Sequence, residues 1–140
     1  FEHALERWND PAVKHWILGE TGKSDQDAYS LAQRVIGLDP RPTAVIAGND
    51  HSGAIFISCF LQAGMKVPEE ISVATFDDHP SFSQLSPLPM TVLRHPCHEI
   101  AQEVAKWVEL QFSGAAGGRR MRREVTGTLI VRDSTAPPEV

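Results

Sequence analysis

The sequence predicts an α/β domain with a mainly parallel sheet flanked by helices, and three observations lead to this prediction. Apolar runs of strand length alternate with longer stretches of helical periodicity. Residues 42–78 contain a strand, a helix and a second strand, and a crossover of this length joins parallel strands. The chain has 140 residues, of which 41% are hydrophobic and 22% charged, as expected for one globular domain with a core.

The first forty residues are expected to contain two helical segments and one strand. A helix end at 1–8 is followed by a short apolar run at 14–18. Ser24 is a suitable N-cap for the next helix, and Gly37 is a suitable end. Apolar residues between them recur at helical spacing, which predicts an amphipathic helix.

The segment 42–78 carries the strongest signal for a binding site. Strands are expected at 43–47 and 71–76, with a helix at 52–63 that ends at a glycine followed by a proline. The carboxyl ends of parallel strands form the edge at which open α/β sheets bind ligands. Four polar residues follow the two strands and are therefore expected along this edge: Asn49, Asp50, Asp77 and Asp78.

The remaining residues are expected to form a strand, a helix and a last strand. The strands are predicted at 90–95 and 125–131. The intervening stretch 97–112 is strongly amphipathic, with apolar side chains along one side.

Charge and composition exclude several classes of protein. The net charge of −5 argues against nucleic-acid binding by this chain, and the basic run 119–123 is interpreted as a solvated connection. Neither a membrane-spanning run nor a signal peptide is recognisable. Cys59 and Cys97 lack metal-type spacing, so we predict two reduced, buried thiols and a cytoplasmic protein.

Three motifs in order resemble the effector-binding domain of LacI/GalR-type transcriptional regulators. They are PTAVIAGND at 42–50, AGMKVPEEISVATFDD at 63–78 and PMTVLRHP at 89–96, and the resemblance extends over nearly the whole chain. It implies a periplasmic-binding-protein-like type I fold. Residues 1–88 and 119–140 would form most of the C-terminal lobe, and 89–118 would supply a strand and a helix to the N-terminal lobe. The family's DNA-binding helix-turn-helix would precede this chain, so the chain is expected to be part of a longer protein.

The resemblance also implies a small-molecule effector, most simply a sugar, bound between the lobes. Asp77 matches a position that bonds the effector, and a carboxylate can accept two neighbouring hydroxyl donors. Asn49 matches another effector contact, although a left-handed turn residue is an equal alternative. His95 stands where relatives often have a cleft-facing glutamine, and Glu20 lies in a loop expected at the cleft. For His95 and Glu20 the alternative is an ordinary structural or exposed residue.

The helix at 52–63 predicts a second partner, because its apolar residues spread around the whole circumference. In LacI-type regulators this helix lies in the dimer interface, which implies a homodimer. The alternative is a helix enclosed within its own lobe. The residues expected at the interface are Ile55, Phe56, Cys59 and Phe60.

The predicted function is therefore effector sensing and dimerisation in a LacI-type repressor, which would contact operator DNA through the preceding domain. Neither a cofactor nor a metal is implied, and catalysis is not expected because no nucleophile-elbow motif or metal-ligand spacing is found. The first alternative is a periplasmic sugar-binding protein of a transport system. A second alternative, an α/β interaction domain without a ligand, predicts no saturable small-molecule binding.

Overall fold

The computed structural model describes residues 7, 14, 18–19, 24–114, 117–118 and 120–137. The helix end predicted at 1–8 and the strand predicted at 14–18 lie almost entirely outside the described residues. The described helices and strands are α1 Asp25–Ile36, β1 Ala44–Ala47, α2 Asp50–Gln62, β2 Ser72–Phe76, α3 Pro80–Leu85, β3 Thr91–Arg94, α4 Cys97–Phe112 and β4 Thr128–Ile130.

The described sheet is mainly parallel, which confirms the predicted fold class. Its strand order is β1-β2-β3-β4, with β1, β2 and β3 parallel and β4 antiparallel to β3. The helix predicted at 97–112 is confirmed at both ends, and the predicted strands agree to within about three residues. Helix α3 was not predicted, because its six residues are too few to show a period.

Helix α2 is buried on most sides within one chain. It packs against α1, α3, β1 and β2, which accounts for apolar residues around its whole circumference. The four residues predicted for a dimer interface are no more than 8% exposed: Ile55, Phe56, Cys59 and Phe60. Enclosure within one lobe, the alternative to a dimer, therefore suffices to explain the pattern. The dimer itself stays a prediction.

Helix α4 is exposed along its whole length. It contains no buried residue, and apolar side chains such as Val104 and Phe112 are 52% and 90% exposed. The preceding strand β3, by contrast, pairs with β2 in the common sheet. The strand and the helix of 89–118 thus have different surroundings: backbone hydrogen bonds hold β3 in the sheet, whereas α4 is exposed to solvent. The predicted division into two lobes stays a prediction, with α4 as the part that stands apart.

Ser24 caps α1 as predicted, its side chain accepting a hydrogen bond from the Asp27 N–H at 3.2 Å. Within the part of the chain that is described, no helix is long and apolar enough to cross a membrane.

The prediction that both cysteines are buried is wrong for Cys97. Cys59 lies in the core on α2, and burial raises the pKa of its thiol. Cys97 is exposed because it begins α4, which has no buried residue. The apolar periodicity of 97–112 correctly predicted a helix, but the described residues do not provide a surface that buries Cys97.

We expect the two thiols to react at very different rates with a water-soluble disulfide reagent at pH 8. Cys97 should be modified quickly, and Cys59 should react only as the core opens, because a buried thiol with a raised pKa supplies little accessible thiolate. A spectrophotometric time course on the Cys97→Ser variant isolates Cys59. A fast phase that survives in this variant would contradict the assignment.

Candidate functional site

The candidate site lies where β2 and β3 end. Asp77 follows β2 and His95 follows β3, and parallel pairing brings the two strand ends together. The Asp77 Oδ1 lies 3.6 Å from the His95 Nε2, and the side chains are 50% and 44% exposed. The structure thus brings together two of the side chains predicted from the sequence, and both are accessible to a ligand.

The backbone of Asp77 has an unusual conformation. Its φ is +68°, and among the described residues it is the one non-glycine residue with a positive φ. The left-handed region disfavours side chains by roughly 1–2 kcal/mol, with aspartate and asparagine among the more tolerant residues. The Asp77 N–H donates to the Leu93 carbonyl at 3.1 Å, which anchors this turn to β3. Such strain is frequently stored at functional sites.

An aromatic stack completes the group. The ring of His95 lies on that of Phe76, with centroids 6.0 Å apart and an interplanar angle of 17°. Phe76 is 36% exposed although it ends a buried strand. Phe76 was not among the residues predicted for the site, but strand alternation offers the signal: Thr75 points into the core, so Phe76 points to the other face.

Asn49 has a structural role that the sequence analysis did not assign to it. It is the N-cap of α2, with extended backbone (φ −157°), and its Oδ1 accepts a hydrogen bond from the Ser52 N–H at 2.8 Å. The left-handed residue is therefore Asp77, and Asn49 is not one. A ligand contact by Asn49 would come from its amide nitrogen, and this contact stays a prediction.

Asp50 is an acidic residue in the first turn of α2, and its role is structural. It is 3% exposed, and its two oxygens accept hydrogen bonds from the N–H groups of His51 at 2.8 Å and His79 at 2.6 Å. The carboxylate therefore joins the start of α2 to the start of α3. Asp50 is held within the fold, and Asp77 is the more accessible carboxylate.

Asp78 lies in the loop after β2, and its side chain is engaged in hydrogen bonds within the fold. Its side chain is 5% exposed and is held by Arg94 and Arg132. The two arginines were not anticipated, because contacts so distant in sequence leave no local pattern. Glu20, also predicted for the site, lies outside the described residues.

The site offers three complementary kinds of contact. Asp77 provides hydrogen-bond acceptors, the His95 imidazole provides a donor or an acceptor according to its tautomer, and the stacked rings provide an apolar surface. In the described segments, no group of three or more His, Cys, Asp or Glu side chains could hold a metal ion. The arrangement is suited to binding a small polar molecule with an apolar face.

Comparison with known proteins gives a consistent result. Residues 1–135 match the family described as periplasmic binding protein-like domain. The NTD biosynthesis operon regulator NtdR of Bacillus subtilis (strain 168) is 30% identical over 132 residues, covering 94% of this chain and 40% of that protein. The ribose operon repressor of the same organism is 31% identical over 106 residues, covering 76% and 32%. The chain thus spans well under half the length of these relatives.

Solved structures agree with the fold. A LacI family transcriptional regulator from Bifidobacterium animalis subsp. lactis aligns with a TM-score of 0.73 at 26% identity, covering 85% of this chain and 43% of that one. A LacI family regulator from Enterococcus faecium, solved with bound ribose, aligns with a TM-score of 0.78 over 99% of this chain and 50% of that one. At 23% identity the second comparison shows the fold alone.

The two curated relatives are operon regulators by name, and the solved LacI family regulator from Bifidobacterium animalis subsp. lactis shares the fold of this chain. The chain therefore belongs to the periplasmic binding protein-like domain family, and it resembles the members of that family found in LacI-type transcriptional regulators.

Proposed function

We propose that this chain senses a sugar or sugar derivative as the effector of a LacI-type repressor. The observation that carries the proposal is the accessible Asp77–His95 pair beside the exposed ring of Phe76. A carboxylate that accepts hydrogen bonds from two hydroxyls, next to an aromatic surface for C–H groups, has the chemistry that a carbohydrate requires.

In the whole regulator, the sugar would lie between this sheet edge and a second lobe. Closure of the lobes on the sugar would bias a two-state hinge, and the change would reach DNA-binding domains outside this chain. The exposed apolar side of α4 supports this arrangement, because it offers a surface for a second lobe. We place the regulator in the cytoplasm, where operator DNA is found.

We further propose a homodimer, by analogy with the regulators that this chain resembles. Because Ile55, Phe56, Cys59 and Phe60 are buried in one chain, contact through α2 would use residues near its end, such as Leu61 at 39% exposure. The four buried residues would then support the interface from beneath.

The proposal is tested by following the amide and imidazole NMR signals of this chain during titration with D-ribose, D-glucose and sucrose. We expect one sugar to shift the signals of Phe76, Asp77 and His95 saturably at about millimolar concentration, because one wall of a cleft binds weakly. Asp77→Asn should weaken this binding about tenfold by removing charged acceptors. Asparagine tolerates the left-handed backbone, so the turn is preserved.

Asp25→Asn is the matched control. Asp25 also lies near a histidine, with its Oδ1 3.4 Å from the His51 Nε2, but it belongs to α1. Sugar binding should be unchanged in this variant. Equal weakening in both variants, or the absence of saturable shifts with every sugar, would refute the proposal.

A further inference from the structure

Asp78, the residue after Asp77, is the centre of an ion-pair cluster at the edge of the candidate site. Its Oδ1 accepts a hydrogen bond from the Arg132 Nη1 at 3.0 Å, and its Oδ2 accepts one from the Arg132 Nη2 at 2.8 Å. Arg94 also donates to Oδ2 from Nη2 and, at 3.0 Å, from Nε. We call Asp78, Arg94 and Arg132 the arginine clip.

The arginine clip is partly buried and is fixed by further hydrogen bonds. The side chain of Asp78 is 5% exposed and that of Arg132 is 25% exposed. Low exposure and bidentate geometry distinguish this ion pair from surface ion pairs, which contribute little to stability. Arg132 is itself held in place, since its Nη1 also donates to the Met90 carbonyl at 2.9 Å and its backbone N–H donates to the Thr91 Oγ1 at 2.9 Å. The hydrogen bond that Arg132 donates to Asp78 raises the pKa of the Arg132 guanidinium.

The clip joins the three chain segments that meet at the site. Asp78 continues from the left-handed Asp77. Arg94 ends β3 and directly precedes His95, and Arg132 lies just beyond β4. Strands β3 and β4 flank α4 in the sequence, so the clip also ties together the two segments that lead to and from this helix.

We propose that Asp78 is the positioning residue of the candidate site, and that the arginine clip holds Asp77 and His95 in their observed relation. The left-handed conformation of Asp77 is disfavoured on its own, so it needs contacts on both sides. On one side, the Asp77 N–H donates to the Leu93 carbonyl. On the other side, Asp78 is fixed by the two arginines. That the positioned residues bind a sugar rests on the proposed function, whereas the positioning itself is argued from the contacts alone.

Amide hydrogen exchange measured by NMR on the full chain tests the inference without any ligand. In Asp78→Asn we expect the Asp77 amide to exchange about tenfold faster, because its hydrogen bond to Leu93 opens more often once the clip is lost. The Val73 amide, bonded to the Ser134 carbonyl at 2.7 Å in the core, should exchange at an unchanged rate. A merely global loss of stability would accelerate both amides alike.

Two further variants make the test decisive. Arg132→Lys keeps the charge but loses the bidentate geometry, so it should accelerate hydrogen exchange at the Asp77 amide by a smaller factor than Asp78→Asn does. Glu103→Gln on α4 removes the ion pairs of Glu103 to Lys106 and to Arg123, and it serves as the matched control, with no effect expected at Asp77. If Asp78→Asn does not fold, Arg132→Lys decides the question by the same comparison.

An Asp77 amide that exchanges at the wild-type rate in the folded clip variants would overturn the inference, as would equal acceleration at Asp77 and Val73. The sugar titration is read separately. Faster local exchange with no sugar-induced shifts in the wild-type chain would uphold the positioning role and refute the proposed sugar sensing.

Discussion

Replacing Gly53 by alanine is expected to destabilise the fold by about 1–3 kcal/mol, in the range of overpacked cores. Gly53 lies on the buried face of α2, and a Cβ there would stand 2.2 Å from the Cγ2 of Thr75 on β2. Thr75 is 2% exposed and β-branched, so it cannot easily turn aside. The penalty should exceed the gain of roughly 1 kcal/mol that alanine has over glycine in a helix. Urea unfolding followed by circular dichroism measures the difference.

Gly37→Ala is the control for this prediction. Gly37 follows α1, its φ is −85°, and an added Cβ would meet its nearest atoms at 3.6 and 3.7 Å, which is ordinary contact. It should therefore change stability little. The double variant Gly53→Ala/Thr75→Ser removes the clashing methyl group and should recover part of the loss. Wild-type stability in Gly53→Ala would show that α2 does not approach β2 so closely.

Replacing Ser134 by alanine is expected to cost about 1–3 kcal/mol, because it leaves buried polar groups without their partner. Ser134 is fully buried, and its hydroxyl donates to the Val73 carbonyl at 2.6 Å and accepts from the Thr91 N–H at 2.8 Å. One hydroxyl thus joins β2, β3 and the chain that follows β4. Alanine removes both bonds with almost no change in volume, so the midpoint of urea unfolding should fall.

Ser30→Ala provides the comparison. The Ser30 Oγ donates to the Gln26 carbonyl at 2.8 Å on the exposed side of α1, where water can replace the bond. The expected change is within about 0.5 kcal/mol. A similar loss in Ser30→Ala and Ser134→Ala would mean that burial does not govern the cost.

The regular elements could be predicted because their signals are local. The helix at 97–112 was predicted to the residue from its apolar period, and Ser24 from its capping chemistry. The parallel order of β1 and β2 followed from the length of the crossover. The carboxyl edge of these strands then indicated Asp77 as a site residue.

The partners of these elements could not be predicted in the same way. An apolar circumference on α2 predicted burial but not what would provide it, and α1, α3 and the sheet are enough. Likewise, the apolar side of α4 did not indicate whether another element would cover it. Cys97 is exposed because none of the described residues does so. Periodicity reports how much surface an element must bury, whereas the partner depends on contacts between distant residues.

The sequence by itself determined the α/β class, the order of the elements and the edge of the sheet where polar side chains collect. Only the tertiary structure decided which of them remain available. It used Asn49 to cap α2, enclosed Asp50 between two helices and fixed Asp78 with two arginines, leaving Asp77 and His95 accessible. The physical reason is that a polar side chain becomes structural or available according to the donors that folding brings to it. Arg132, 54 residues from Asp78, is such a donor.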